Sequence, residues 1–488
     1  MSSRLLKALA CAAALAAVQP AAALAQPAPA AVTPAEQALA GDLLAAVNGG
    51  AAARAAFLDR RLAAETRMPR AEMAKVLDAV ALTAGRLSLD SVSRRGPFVR
   101  LRVKAANGRS GRIDLDVSPA EPGRIAGLIT VPMPAAYQGP KVTGPLSRAD
   151  LAQAIDRRVS DAADRDDFSG AVLVMKGDEV IYSGVFGQAD KARGLPVTLE
   201  TRFNLGSMDK QFTAVAIGQL MEQGKLTLDT RLIDVLPDYP NPAAARKITI
   251  RHLLTHSAGL GMMWERPGWD WKLKYERVSE LLPLFAKADP EFEPGTQAAY
   301  SNEGFLVLGA VIEKLTGRTW YDYVQENVFD RAGMTRTGYL TDDPAIPDRA
   351  IGYRFVDEDP LGFGERRPNW EILSRRGNAC GGGYSTVGDM VRFLQALRSG
   401  KLLKPETAAL FTAQAEGGRP EYGFGFEHIP TAGRTIVGHD GGGPGSGINS
   451  DAKMVWETGY AYAVLGNYDA PFTQIVGGDI GEMLARQD

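Results

Sequence analysis

Ser207 and Lys210 stand three residues apart in Phe203-Asn204-Leu205-Gly206-Ser207-Met208-Asp209-Lys210-Gln211-Phe212. Behind them Phe212, Val215, Ala216 and Leu220 recur at helical spacing, and Gly224 stands where a C-cap glycine belongs. The spacing predicts that both side chains share one face at the start of a helix. There, free backbone N–H groups and the helix dipole favour a developing negative charge. A hydroxyl, an amine on the same face and oriented N–H donors are the parts of an acyl-transfer nucleophile. Ser-x-x-Lys fixes only two positions, and a second copy, Ser450-Asp451-Ala452-Lys453, lies in strand-like sequence. Residues three apart on a strand point to opposite faces, so that copy cannot join its hydroxyl to its amine.

Two more short motifs follow in the chain. Tyr300-Ser301-Asn302 comes after Glu293-Pro294-Gly295 and opens an apolar helical run from Ser301 to Leu315, ended by Gly317. A competing Tyr239-Pro240-Asn241 sits in a proline-rich turn. His439-Asp440-Gly441-Gly442-Gly443 directly follows the strand-like Thr435-Ile436-Val437.

Serine and lysine on a helix, then Tyr-x-Asn, then a basic residue-x-Gly on a strand, in that order, resembles the penicillin-recognising serine hydrolases. Within them the chain is most similar to the group of class C β-lactamases, D-alanyl-D-alanine carboxypeptidases and esterases. Three flanking stretches add to the resemblance: Ile248-Thr249-Ile250-Arg251-His252-Leu253-Leu254-Thr255-His256-Ser257-Ala258-Gly259-Leu260, Gly381-Gly382-Gly383-Tyr384-Ser385-Thr386-Val387-Gly388-Asp389-Met390, and Tyr422-Gly423-Phe424-Gly425. It covers the chain from about Leu146 to the C-terminus.

The resemblance implies an α+β fold of the β-lactamase/transpeptidase type, an antiparallel sheet flanked by helices with a helical subdomain beside it. It makes Ser207 the nucleophile and Lys210 and Tyr300 the proton-handling pair. The backbone N–H groups of Ser207 and Gly442 become the oxyanion hole, and Asn302, His439 and Gly441 the substrate-binding positions. It implies no metal and no organic cofactor. A free lysine titrates at about 10.4, so Lys210 accepts a proton only if its site brings that value down to about 7. Alternatively Tyr300 is the base, as a phenolate beside a charged Lys210; the pair is coupled and the choice stays open.

The third motif departs from the commoner Lys, which grips a substrate carboxylate. His439 is largely neutral at pH 7 and is followed by acidic Asp440. That weakens β-lactam hydrolysis as a reading and favours an esterase or peptidase acting on a small-molecule or peptidoglycan-derived substrate. A β-lactamase or D-Ala-D-Ala carboxypeptidase is the alternative within the class, and a non-catalytic peptidoglycan-fragment binder the alternative outside it.

Other candidates carry less. His252 and His256 are four apart, but no glutamate follows the first as a zinc protease requires, so both read as structural. Gly218 to Lys225 has a phosphate-loop flavour with the spacing one residue long and Leu226 in place of Ser or Thr. No Gly-x-Ser-x-Gly elbow occurs, which argues against an α/β-hydrolase. Trp264, Trp269 and Trp271 are either an apolar substrate wall or core packing.

The elements that must position these residues emerge from composition and period. With 55 basic against 57 acidic residues, the formal charge of −2 gives no electrostatic case for nucleic acid or an anionic membrane. Arg4 and Lys7, an Ala-rich apolar run to Val18 and Ala23-Leu24-Ala25 predict a cleaved secretory signal peptide over 1–25, an uncleaved anchor being the alternative. The mature chain is then periplasmic or secreted, with no later run of eighteen apolar residues to span a membrane. Cleavage removes Cys11 and leaves Cys380 alone, so no internal disulfide forms. A small α+β accessory domain is expected over 36–134, helical to about Ala84 and then strands, with a hairpin at Asn107-Gly108. A linker over 135–146 leads to the hydrolase domain over 147–488, which begins and ends with a helix and draws its strands from both ends. Oligomeric state is not legible.

Overall fold

Thr33-Pro34-Ala35-Glu36 is a capping box with proline at the first helical position, and it opens helix α1 (Pro34–Asn48). The Glu36 carboxylate accepts from the Thr33 N–H at 2.8 Å while the Thr33 hydroxyl accepts from the Glu36 N–H. Helices α2 (Ala51–Arg61) and α3 (Arg70–Ala84) follow, separated at the two breaks marked by Asn48-Gly49-Gly50 and Met68-Pro69. The computed structural model describes residues 32–95, 98–134, 136–340, 346–356 and 359–488, so the signal peptide expected over 1–25 lies outside the described residues.

Strands β1 (Leu87–Arg95), β2 (Phe98–Ala105), β3 (Ser110–Val117) and β4 (Ile125–Met133) then form an antiparallel meander in sequence order. The β2–β3 turn is at Asn107-Gly108, with Gly108 at φ +85°. Strand β1 is missing from the sequence reading because its register shifts between Leu89 and Ser91, which breaks the alternation that reveals a strand. Leu43, Phe57, Leu77, Leu101 and Leu115 share one core between the helices and this sheet.

The described residues divide into two compact units: the chain up to Tyr137 together with Tyr353–Arg367, and Gln138–Gly352 together with Pro368–Asp488. The excursion Tyr353–Arg367 differs from the expected assignment of all of 147–488 to one domain. Its Leu361 and Phe363 are buried in the first unit's core, and Gly111 on β3 leaves room for Leu361. The Asn107 amide donates to the Phe363 carbonyl at 2.8 Å. No change in composition marks those fifteen residues, so period and punctuation alone do not reveal them.

The second unit is built on six antiparallel strands. They are β5 (Gly170–Lys176), β6 (Glu179–Phe186), β7 (Glu427–Thr431), β8 (Arg434–Gly443), β9 (Ile448–Val455) and β10 (Tyr460–Gly466), in the order β7-β8-β9-β10-β5-β6. The pairing of β10 with β5, Leu465 opposite Ala171, joins the two ends of the unit in one sheet. Alternation sorts the faces. Val172, Val174, Tyr462 and Val464 pack with helices α4 (Arg148–Asp164) and α8 (Phe472–Ala485). Ala171, Ala461, Ala463 and Leu465 face the opposite core, which holds the helical middle: α5 (Asp209–Glu222), α6 (Asn302–Thr316) and α7 (Val387–Arg398). The alanines on that face leave room for α7, which packs on β10 and β5.

Candidate active site

Every residue of α5 from Asp209 to Leu220 is buried, including Asp209, Lys210, Gln211, Thr213 and Gln219. A helix enclosed on all sides must satisfy its polar side chains internally, and those partners define the site. At its C-terminus Gly224 (φ +68°) donates to the Met221 carbonyl and Lys225 to that of Leu220, the bond pattern of a Schellman motif. At its N-terminus Gly206–Met208 forms a 3₁₀ turn that carries a half-buried Ser207.

Lys210 is fully buried, and its Nζ donates to Asn302 Oδ1 at 2.6 Å and to the Cys380 carbonyl at 2.6 Å. Two of an ammonium's three donors are thereby used. The same Nζ lies 4.8 Å from the centroid of the Tyr300 ring and 5.6 Å from that of Phe305. Tyr300 and Asn302 reach it because Ser301 between them is the N-cap of α6, its hydroxyl accepting from the Gly304 N–H at 2.9 Å. Asn302 donates in turn to Met262 Sδ at 3.3 Å, which fixes the way its amide faces. Met262 is held there because buried Glu303 accepts from the Gly261 N–H and from both Nε and Nη2 of Arg266.

Glycines let two other backbones close on the serine turn. Gly206 has φ +53°, and a Cβ there would overlap the Gly442 nitrogen. A Cβ on Gly441 would overlap the Leu205 carbonyl oxygen, while on Gly381 it would stand 2.7 Å from the Gly206 oxygen. Leu205 donates to the Gly383 carbonyl at 2.7 Å, and Gly382 to that of Gly206 at 3.0 Å. The Gly381-Gly382-Gly383 run and the Gly441-Gly442 strand thus flank the Ser207 turn from different parts of the chain. Strand β7 pairs with β8 only as far as Gly438, so beyond it β8 has β9 alone as its strand neighbour.

Burial sets the charges. Asp209, wholly enclosed, is pushed up to about 8 by desolvation; Gly383 donates to its Oδ2 at 2.6 Å and Lys210 opposes the rise. Burial drives His439 down to about 4, although the Glu427 carboxylate pulls the other way. The His439 Nδ1–H donates to the Asp440 carbonyl, so Nε2 accepts from the Tyr422 hydroxyl at 3.1 Å. Both ring nitrogens of His439, expected as a substrate-binding position, are hydrogen-bonded within the protein. Burial raises Asp440, and so does Glu427. Ligand atoms of Glu427, His439 and Asp440 lie within 4.8 Å of one another, but Lys453 already pairs with Glu427 at 3.1 Å and with Asp451.

The competing motifs have structural work. Ser450 on β9 donates to the Leu205 carbonyl at 2.7 Å, while Lys453 enters the carboxylate cluster. Asn241 caps a short helix by accepting from the Ala244 N–H at 3.0 Å. The Cys380 thiol is driven up to about 11 by burial; its carbonyl, not its sulfur, meets Lys210. Trp264 and Trp269 pack on the main core, with Trp264 and Trp271 stacked at 6.0 Å. Sequence reasoning gave no role to Asp209, Tyr422 or Arg419 and a purely structural one to His256. The Arg419 guanidinium lies 5.0 Å from the Tyr300 ring centroid and 5.5 Å from that of Tyr422. Only proximity in the fold reveals these four.

A buried amine shared by three distant segments thus stands beside a serine turn walled with glycine, in a fold of the penicillin-recognising serine hydrolase type. The family model described as Beta-lactamase matches residues 155–475, and the chain belongs to that family. Penicillin-binding protein 4* of Bacillus subtilis (strain 168) is 30% identical over 296 residues, 57% of this chain and 64% of that protein. The chain therefore spans under two thirds of the length of that relative. Esterase EstB of Burkholderia gladioli is 30% identical over 315 residues, 58% of this chain and 80% of that protein. The crystal structure of a penicillin binding protein from Bacillus halodurans matches with 30% identity and a TM-score of 0.58, covering 67% of this chain and 96% of that one.

Proposed function

We propose that the protein is an exported serine hydrolase that cleaves an ester or amide bond through an acyl-enzyme on Ser207. The observation that carries this reading is the Lys210 amine, bonded to Asn302 and lying against the Tyr300 ring, one helical turn from Ser207. The coupled Lys210–Tyr300 pair takes the Ser207 proton as Oγ attacks the carbonyl carbon, and returns it to the leaving alcohol or amine. The oxyanion of the tetrahedral intermediate accepts from the N–H groups of Ser207 and Gly442; losing one such donor costs roughly 3–4 kcal/mol in other systems. Water then repeats the sequence to release the acid. Asn302 and the Gly441 edge of β8 bind the substrate, and neutral His439 supports that edge through Tyr422.

Arg4, Lys7 and the Ala-x-Ala site support export to the periplasm or beyond, and the near-neutral charge supports a small-molecule or peptidoglycan-derived substrate over nucleic acid. Among the described residues no helix is long and apolar enough to cross a membrane. The absence of a lysine in the third motif favours esters and amides without a carboxylate. A second reading, a D-peptide or β-lactam bearing a carboxylate, is favoured by one observation: the Arg419 guanidinium beside Tyr300.

Steady-state turnover of p-nitrophenyl esters, D-amino-acid peptides and nitrocefin by the wild type and Ser207→Ala tests both. Ester or amide turnover exceeding nitrocefin turnover, abolished in Ser207→Ala, is expected. Preference for carboxylate-bearing substrates, lost in Arg419→Gln, selects the second reading. Unchanged hydrolysis by Ser207→Ala overturns the acyl-enzyme altogether.

A further inference from the structure

We propose that His256 is a positioning residue that sets Tyr300 in place for proton transfer, an inference that rests on the acyl-enzyme reading above. Among the described residues His256 is one of five non-glycine residues at positive φ, at +60°, a conformation that costs energy for most side chains. Its ring lies 5.2 Å from that of Phe305 and 5.0 Å from that of Tyr422, but its two polar contacts toward residues 299–301 bracket Tyr300. The His256 carbonyl accepts from the Ala299 N–H at 2.9 Å, and its Nδ1 accepts from the Ser301 N–H at 3.1 Å. Its ring lies 4.5 Å, centroid to centroid, from the Tyr300 ring. One residue therefore holds the peptide N–H on either side of Tyr300 and covers its ring.

Three further observations separate this from ordinary core packing. Nδ1 accepts from the Ser301 N–H only if it carries no proton itself, so the ring proton resides on Nε2. Nε2 is buried without a hydrogen-bond partner, a cost that a phenylalanine or leucine in the same space would not carry. Burial, with Arg419, Lys210 and His439 around it, drives the imidazole well below its ordinary value and keeps it neutral. A polar ring kept neutral, with one nitrogen used and the other unsatisfied, is accounted for if the used nitrogen matters. His252, four residues earlier, shows the contrast: its Nδ1 accepts from the Thr249 N–H and closes a capping box.

The test compares His256→Gly with His256→Asn. Glycine accepts φ +60° and keeps the carbonyl but removes Nδ1 and the ring; asparagine tolerates the same φ and offers Oδ1 where Nδ1 stood. His256→Gly is expected to lower kcat by about 10- to 100-fold with KM within about twofold, and His256→Asn to keep kcat within about threefold of wild type. In a Tyr300→Phe background His256→Gly should cost nothing further, because the residue acts through the phenol. Protein labelled with [ζ-¹³C]tyrosine gives a readout independent of turnover: the resonance that Tyr300→Phe removes should move in both variants, which lose the imidazole ring current, and should move further and broaden in His256→Gly, which also loses the acceptor for the Ser301 N–H. Equal losses in both variants, an undiminished loss on the Tyr300→Phe background, or a resonance that moves no further in His256→Gly than in His256→Asn overturns the proposal. If the wild type hydrolyses nothing, the acyl-enzyme reading falls while the resonance still decides whether His256 positions Tyr300.

Discussion

Lys210 is the residue on which the account turns, and its surroundings explain why its type and position were legible while its partners were only partly so. Ser-x-x-Lys and Tyr-x-Asn are local spacings, visible in sequence, and Lys210 Nζ meets Asn302 Oδ1 at 2.6 Å. Its second acceptor, the Cys380 carbonyl, is backbone and leaves no mark in residue type. Asp209 is likewise unmarked, since its titration at about 8 comes from enclosure. As pH rises from the ordinary 3.8 through about 8, an unfolded chain releases the Asp209 proton and the folded one retains it, so this carboxyl costs stability increasingly and fully above 8. Asp209→Asn cannot ionise and keeps an oxygen for the Gly383 N–H. Its urea midpoint relative to wild type should therefore rise between pH 4 and pH 8, and a difference independent of pH would contradict this. Cys380, buried and pushed up to about 11, should resist iodoacetamide at pH 8 in the folded protein and react fully in denaturant. Alkylation of the native protein would show the enclosure to be wrong.

At the scale of elements, ends and alternation were readable and close approaches were not. The Schellman end of α5, the Ser301 cap and the Gly317 stop of α6 follow from residue types that have few alternatives at those positions. The two copies of Ser-x-x-Lys were separable because a strand sends residues three apart to opposite faces, and Ser450 and Lys453 do part in this way. The glycine runs could be quoted, but their reason appears only in the fold, where Gly441 stands against Leu205 and Gly206 against Gly442. Gly441→Ala should cost about 1–3 kcal/mol by overpacking and reduce ester turnover more than that loss alone explains. Urea denaturation and ester hydrolysis measured on one preparation check it; a variant of wild-type stability and rate would mean that the serine turn is not gripped at this strand.

For the whole molecule, period and punctuation placed the helix-then-strand order of the first unit and the two-ended sheet of the second. They could not place Tyr353–Arg367, because Leu361 and Phe363 are ordinary apolar residues whose partners lie more than two hundred positions earlier. Leu361→Ala should destabilise the first unit by about 2–5 kcal/mol, with faster amide exchange in Ser110–Val117 and unchanged exchange in Asp209–Glu222. Uniform loss of protection in both segments would contradict that assignment. The central claim concerns one covalent bond and is tested most directly by intact-protein and peptide mass spectrometry after brief exposure to a fluorophosphonate. The account predicts one adduct, on the peptide containing Ser207, formed by the wild type and not by Ser207→Ala. An adduct on any other residue, or equal labelling of the two proteins, would contradict it.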